Sequence, residues 1–121
     1  MRTLTEDDFK KVDSLVKTFS DTLIGTRPDA VDAFMRQLGW AEKMKIGAAK
    51  LSYEFSKNAD PKTRAEKLVQ YCESVVPGLK RAFGEQAVIN ALPPEGRTQE
   101  VCDMCDALGG RQLAALIRKS L

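Results

Sequence analysis

None of the 121 residues of this chain is histidine, and this absence limits the reactions that its side chains could catalyse. Without imidazole there is no Ser-His or Cys-His nucleophile and no side chain that ordinarily titrates near neutral pH. Three cysteines remain as reactive groups, and two of them, Cys102 and Cys105, have the spacing of a metal-binding or redox pair. Cys72 could supply a third thiolate, and Asp103 or Asp106 an oxygen ligand.

Several features of this cysteine pair argue against metal or redox chemistry. A closed zinc site needs four ligands, and a redox pair ordinarily opens a helix after a strand. The chain has no second pair and no strand before this one, although two chains could share one metal. We expect small half-buried core thiols, and we predict neither a metal nor a cofactor.

Carboxylates are the other groups that could do chemistry. Glu6, Asp7 and Asp8 cluster at the start of a predicted helix, where the helix dipole favours negative charge without any catalytic role. The chain contains no nucleophile elbow, no phosphate-binding glycine loop and no acidic metal motif. These observations favour a binding module over an enzyme, and we predict no catalytic residue.

Amphipathic helices separated by Gly and Pro account for almost the whole chain. The first is predicted between Thr5 and Gly25, with Thr5 and Asp8 as a capping box and Leu4 and Phe9 as a hydrophobic staple. Steps of three and four residues put its apolar side chains on one face: Phe9, Val12, Val16, Phe19 and Leu23.

The next two helices meet at Gly39-Trp40. One is predicted to be capped by Thr26 and to end at Gly39, which we expect in the left-handed conformation. Its apolar stripe comprises Val31, Phe34, Met35 and Leu38. The other starts at Ala41 and has Met44, Ala48, Leu51 and Phe55 on one side and Lys43, Lys50, Glu54 and Lys57 on the other. Trp40 is a core anchor if buried and a strong contact candidate if exposed.

The second half of the chain begins with a sharp helix start at Asp60-Pro61. This helix is predicted to stop at Pro77-Gly78, and its broad buried face comprises Ala65, Leu68, Val69, Cys72, Val75 and Val76. One interrupted helix or two short ones follow, broken at Gly84, with Leu79, Phe83, Ala87, Val88 and Leu92 inward. After a turn at 93–96, one helix runs from Thr98 to Gly109-Gly110 and a last one covers 112–121.

These elements predict an all-α fold, a compact bundle of six or seven short antiparallel helices. The length suits a single domain, with 1–92 as the main bundle and 93–121 as a C-terminal helical extension packed on it. The odd number of cysteines is typical of a reducing compartment, and no stretch is long and apolar enough to span a bilayer. We therefore expect a cytoplasmic protein with no membrane partner.

Charge is distributed unevenly although the net charge is only +2. Residues 42–67 carry seven Lys or Arg and four acids, whereas residues 95–106 carry four acids and one Arg. A basic patch meeting an acidic patch of a neighbour would suit head-to-tail association, although both segments could equally be solvated helix faces. The predicted contact residues are Lys43, Lys45, Lys62 and Arg64 on the basic side and Glu95, Glu100, Asp103 and Asp106 on the acidic side.

Segment 61–83, with the sequence PKTRAEKLVQYCES followed by VVPGLKRAF, resembles the last helices of death-fold domains. It is most similar to the effector-associated and caspase-recruitment-like domains of bacterial immune systems. The Leu4-Thr5 start, the helix 9–23 and the Phe34-x-x-x-Leu38-Gly39-Trp40 segment follow in a compatible order, so the resemblance covers residues 3 to 90. It implies a six-helix bundle that recruits effectors through homotypic contacts and performs no chemistry of its own.

Two other classes of function remain open at this point. A helical nucleic-acid-binding protein would use basic side chains against phosphate, and its binding would depend steeply on salt. Those side chains would be Lys43, Lys45, Lys50, Lys57, Lys62, Arg64, Arg111, Arg118 and Lys119. An inhibitor acting by surface occupation, from a phage or its host, has no positive marker in the sequence. We expect a protein partner, either a second copy or a related helical domain.

Overall fold

The computed structural model describes residues 3–26 and 28–121, without the side chains of residues 24, 26, 28, 30 and 31. The described part contains seven α-helices, one 3-10 turn and no strand, which confirms the predicted all-α bundle. In chain order the helices are α1 (Glu6–Thr26), α2 (Pro28–Gln37), α3 (Trp40–Phe55), α4 (Pro61–Phe83), α5 (Glu85–Asn90), α6 (Gln99–Ala107) and α7 (Arg111–Ser120). The 3-10 turn covers Pro94–Gly96.

Helix α4 is the centre of the bundle, because α1, α2, α3, α5 and α7 all pack against it. All six side chains predicted for its inner face are buried. They join the inner faces of α1, α6 and α7 in one hydrophobic core, so the predicted C-terminal extension contributes directly to the same core as the first helix.

Three helix starts follow their predicted caps. At α1 the Thr5 N–H donates to Asp8 Oδ2 at 2.9 Å, and the Asp8 N–H donates to Thr5 Oγ1 at 3.2 Å. At α4 the Thr63 hydroxyl and N–H both donate to the Asp60 carboxylate. The contacts from the N–H groups each satisfy a backbone donor that the first helical turn leaves without a partner. The predicted cap at Thr26 and the predicted inward position of Val31 depend on side chains that lie outside the described part of the structure.

Helix α6 begins and ends as predicted. The Val101 N–H donates to Thr98 Oγ1 at 3.2 Å, and Gly109 then takes φ 83°, a backbone angle that favours glycine. The Gly110 N–H reaches back to the Cys105 carbonyl at 2.8 Å, which completes a Schellman motif. This compact stop turns the chain directly into α7.

The predicted stop at Pro77-Gly78 is wrong, because α4 continues to Phe83. An interior proline costs a helix about 3 kcal/mol. Here the packing of the surrounding turns offsets that cost: Val76 and Leu79 are buried, and the Phe34 ring of α2 lies directly on Gly78. Tertiary contacts therefore override the local breaking signal.

Three smaller expectations also fail. Gly39 has φ −67° and ψ 163°, so it is an extended N-cap of α3 instead of a left-handed helix end. Helix α1 continues one residue past Gly25. Ala87 is exposed, because the short helix α5 turns Val88 and Ile89 toward the core.

The start of α7 is capped from a distant helix. Its own N-cap residue is Gly110, which has no side chain to accept a hydrogen bond. The Glu73 carboxylate of α4 takes that role and accepts from the N–H groups of Gln112 at 2.9 Å and Leu113 at 3.0 Å. A negative charge at a helix N-terminus also interacts favourably with the helix dipole. This contact ties the end of the bundle to its central helix.

Candidate interaction surface

Helix α3 presents a row of large apolar side chains to solvent. Trp40 is 77% exposed, Met44 55%, Leu51 58% and Phe55 85%. We call these four side chains the α3 stripe. At about 100° per residue they lie within one narrow sector of the helix, together with the exposed Ala48. A row of this kind marks an interaction site more often than chance exposure does.

The α3 stripe points outward because α3 packs on α4 through a different face. Ile46 is the buried residue of α3, and Tyr53 is half-buried near it. Both lie on the side of the helix opposite the stripe at the α-helical repeat. Burial raises the pKa of the Tyr53 hydroxyl, and the negative charge of Asp13 on α1 raises it further. The helix therefore has two apolar faces, and only the smaller one meets the core.

Charged side chains border the α3 stripe on both sides. Lys43, Lys50 and Glu54 lie along one edge, and Lys45 lies along the other. Glu54 accepts a hydrogen bond from Lys57 Nζ at 2.9 Å, and this bond raises the pKa of Lys57. The surface is thus an apolar centre with a charged rim, the usual organisation of protein interfaces.

The predicted basic contact residues do not form one patch. Trp40, Lys43 and Lys45 are in the first turns of α3, and Lys45 lines a shallow depression beside Pro77. Lys62 is in the first turn of α4, about 22 Å from Pro77 along the helix axis. Arg64 is half-buried, and its Nη1 points back toward the Lys57 carbonyl at 3.5 Å. Only the α3 members of the predicted set border the stripe.

The predicted acidic residues lie at the other end of the bundle. Glu95 is exposed in the 3-10 turn. Glu100, Asp103 and Asp106 line an open depression of about 690 Å³ together with Leu4 and Arg111. All three have contacts within the chain, which are with Lys11 at 4.0 Å, with Gln99 at 2.9 Å and with Arg118 at 3.8 Å respectively.

Lys62 adjoins this acidic depression instead of facing away from it. It lines a second depression that shares Leu4 and Ala107 with the first. Opposite charges that are already neighbours in one chain attract a second chain less strongly than two separate patches would. The geometry therefore gives the head-to-tail arrangement less support than the α3 stripe gives to a contact through α3.

The three cysteines are more deeply buried than predicted, with exposures of 0% for Cys102 and 1% for Cys72 and Cys105. Burial raises the pKa of Cys72 to about 12, and that of Cys105 to about 12 as well. The Cys102 thiol donates to the Ala114 carbonyl at 3.3 Å. Metal ligation needs thiolates. No group of three or more Cys, Asp or Glu among the described residues is arranged to hold a metal ion.

The spacing of Met44, Leu51 and Phe55 places them on one side of α3, but it does not identify them as a contact surface. The feature of the sequence that could identify the stripe as exposed is a second apolar pair on the same helix. Ile46 and Tyr53 lie opposite the stripe, and a helix at the edge of a bundle buries only one of two such faces.

Comparison of the chain with protein-family models, with curated proteins and with solved structures finds no match in any of the three. The resemblance to death-fold domains therefore stays a prediction. Within residues 3–26 and 28–121, no helix combines the length and the apolar character that crossing a membrane requires.

Proposed function

We propose that this chain is a non-enzymatic protein-interaction module of the adaptor type that binds its partner through the α3 stripe. The observation that carries the proposal is the exposure of Trp40 and Phe55, at 77% and 85%, on a helix that packs on α4 through its opposite face. Tryptophan and other aromatic side chains dominate the energy of protein interfaces. Leaving four large apolar side chains in water is unfavourable unless a partner covers them.

The chemistry of the remaining surface supports a binding role. Cys72 and Cys105 are buried with raised pKa values, so these two thiols are poor nucleophiles. A cytoplasmic location is part of the proposal because three free thiols suit a reducing compartment. A role in signalling or defence rests on the resemblance to death-fold adaptor domains alone.

Nucleic-acid binding has less support. Three of the cations considered for phosphate contact are in ion pairs within the chain, namely Lys57 with Glu54, Arg118 with Asp106 and Lys119 with Glu85. The lysines nearest the stripe surround apolar side chains instead of forming a continuous basic groove. A continuous basic groove is typical of phosphate binding, whereas a charged rim around an apolar centre is typical of protein binding.

Site-specific photo-cross-linking tests the proposal. A photoreactive amino acid replaces Ala48 in the centre of the stripe, and a matched variant carries it at the exposed Gln86 on α5. We expect protein adducts from position 48 in cells that produce the full chain, and we expect Leu51→Glu to abolish them. Position 86 should give none. Absence of adducts at position 48, either with another protein or with the chain itself, would contradict the proposal.

A further inference from the structure

The spacing of the α3 stripe is the same when the helix is read from either end. Trp40 and Met44 are four residues apart, Leu51 and Phe55 are also four apart, and seven residues separate the two pairs. A surface that meets its own copy about a two-fold axis must be complementary to itself in this way. In an antiparallel pair, Trp40 would meet Phe55 of the second copy, and Met44 would meet Leu51.

We propose that the α3 stripe binds the α3 stripe of a second copy of this chain, with the two helices antiparallel about a two-fold axis. The inference rests on the proposed function and names the partner of the same surface. Three further observations support it: the small residues at the point where the axis falls, the charges on the rim, and the apolar area available.

Small residues lie where the two helices must come closest. The axis falls between Gly47 and Ala48, midway between the two halves of the stripe. Apart from its chain neighbours and the nearby backbone of its own helix, no atom of the described residues lies within 4 Å of the place where a Cβ of Gly47 would be. The second helix can therefore approach to the short end of the usual interaxial range of about 8–10 Å. A larger side chain at Gly47 would hold Met44 and Leu51 of the two copies apart.

The rim charges match in the antiparallel arrangement. Lys43 and Glu54 lie on the same edge of the stripe, and the two-fold axis brings each within about 3 Å, along the helix axis, of the other residue of the second copy. Lys50 falls opposite Gly47, and Lys45 on the other edge falls opposite Ser52. Lys50 of the second copy comes equally close to Lys43 along the helix axis, but it lies farther around the helix from the stripe than Glu54 does. Glu54 already binds Lys57, but a carboxylate has lone pairs for both cations.

The available area is enough for a modest dimer. Large aromatic side chains have about 150–250 Å² of surface each, so the exposed parts of the stripe add up to roughly 500 Å² per copy. Two stripes then bury about 1,000 Å², and the rim brings the total to about 1,200 Å², where stable interfaces begin. We expect a dissociation constant in the micromolar range.

Sedimentation equilibrium of the full chain over a range of concentrations, with reducing agent, tests the inference. We expect a reversible monomer–dimer equilibrium. Lys43→Glu and Glu54→Lys should each weaken it about tenfold, because each change places like charges opposite each other twice. An equimolar mixture of the two variants should dimerise as tightly as the original chain, because the mixed pair contains two opposite-charge contacts. Circular dichroism confirms that each variant is folded.

Each other outcome overturns the second-copy inference. A chain that stays monomeric at high concentration excludes it, and so does a dimer that the charge changes do not affect or the mixture does not restore. In the monomeric case, a shift of Trp40 emission on adding phosphatidylserine vesicles would assign the stripe to a lipid surface. A monomer that still forms adducts at position 48 with other proteins would leave the proposed function intact, whereas absence of all adducts would remove both proposals.

Discussion

Helices α3 and α4 lie against each other and are both amphipathic, yet they use their apolar faces in opposite ways. Helix α4 buries eight of its residues, whereas α3 buries only Ile46 and exposes its larger apolar face. The difference shows that periodicity identifies which residues share a face but not what that face contacts. A central helix is covered on every side, whereas an edge helix can keep a face for a partner.

Removing one leucine side chain from each helix tests this difference between α3 and α4 most directly. Leu68→Ala should lower the free energy of unfolding by about 2–5 kcal/mol, since Leu68 is 2% exposed on α4. Leu51→Ala should change it by less than about 0.5 kcal/mol, since Leu51 is 58% exposed on α3. Urea denaturation at low protein concentration measures both. Equal losses would show that the stripe is part of the core.

Replacing one glycine of each helix by alanine should change the free energy of unfolding in opposite directions. In Gly78→Ala the new Cβ would overlap the Phe34 ring, so we expect a loss of about 1–3 kcal/mol in the free energy of unfolding. Gly47→Ala places its Cβ in open space in the middle of α3, and should gain about 0.5–1 kcal/mol. Thermal unfolding of the two variants gives both values. A stabilising Gly78→Ala would contradict the packing of α2 on α4.

The smallest expected effect is the change in the free energy of unfolding with pH that the buried thiols cause. Burial raises the pKa of Cys72 and Cys105 to about 12 from 9.0, so the unfolded chain loses these protons first. The stability they contribute is present below pH 9 and falls as the pH rises toward 12. We expect a loss of about 1 kcal/mol per thiol between pH 9 and pH 10.

Urea denaturation at those two pH values measures this effect. In Cys72→Ala, the loss of unfolding free energy between the two pH values should be smaller than in the original chain by the contribution of one thiol. Ala48→Cys places a thiol on the exposed face of α3 and should not increase the dependence of the free energy of unfolding on pH. If the exposed thiol added as much dependence as a buried one, burial would not be the cause of the raised pKa values.

Much of the fold could be predicted because local rules operate where the chain is covered on all sides. The inner face of α4, the caps at Thr5, Asp60 and Thr98, and the glycine stop after α6 all follow from residues within four positions of each other. In these helices, periodicity is sufficient to predict which residues are buried because each helix has one dominant apolar face.

Features that depend on residues far apart in the chain could not be predicted in the same way. Pro77 reads as a helix stop, but Phe34 packing on Gly78 outweighs it. The α7 cap is supplied by Glu73, 39 residues before Gln112, and no local pattern connects them. Among the candidate contact residues, Trp40 belongs to the stripe and Lys43 and Lys45 border it. The direction in which the stripe points follows from the packing of Ile46 on the opposite face.

The contact between Glu73 and the start of α7 also affects the order in which the bundle forms during synthesis. Helix α4 precedes α7 along the chain, so the carboxylate is already present when the N–H groups of Gln112 and Leu113 emerge. A ten-residue helix is only marginally stable by itself in water. We therefore expect the nascent α7 to become a persistent helix only when it docks on α4, which buries its apolar side chains away from other chains.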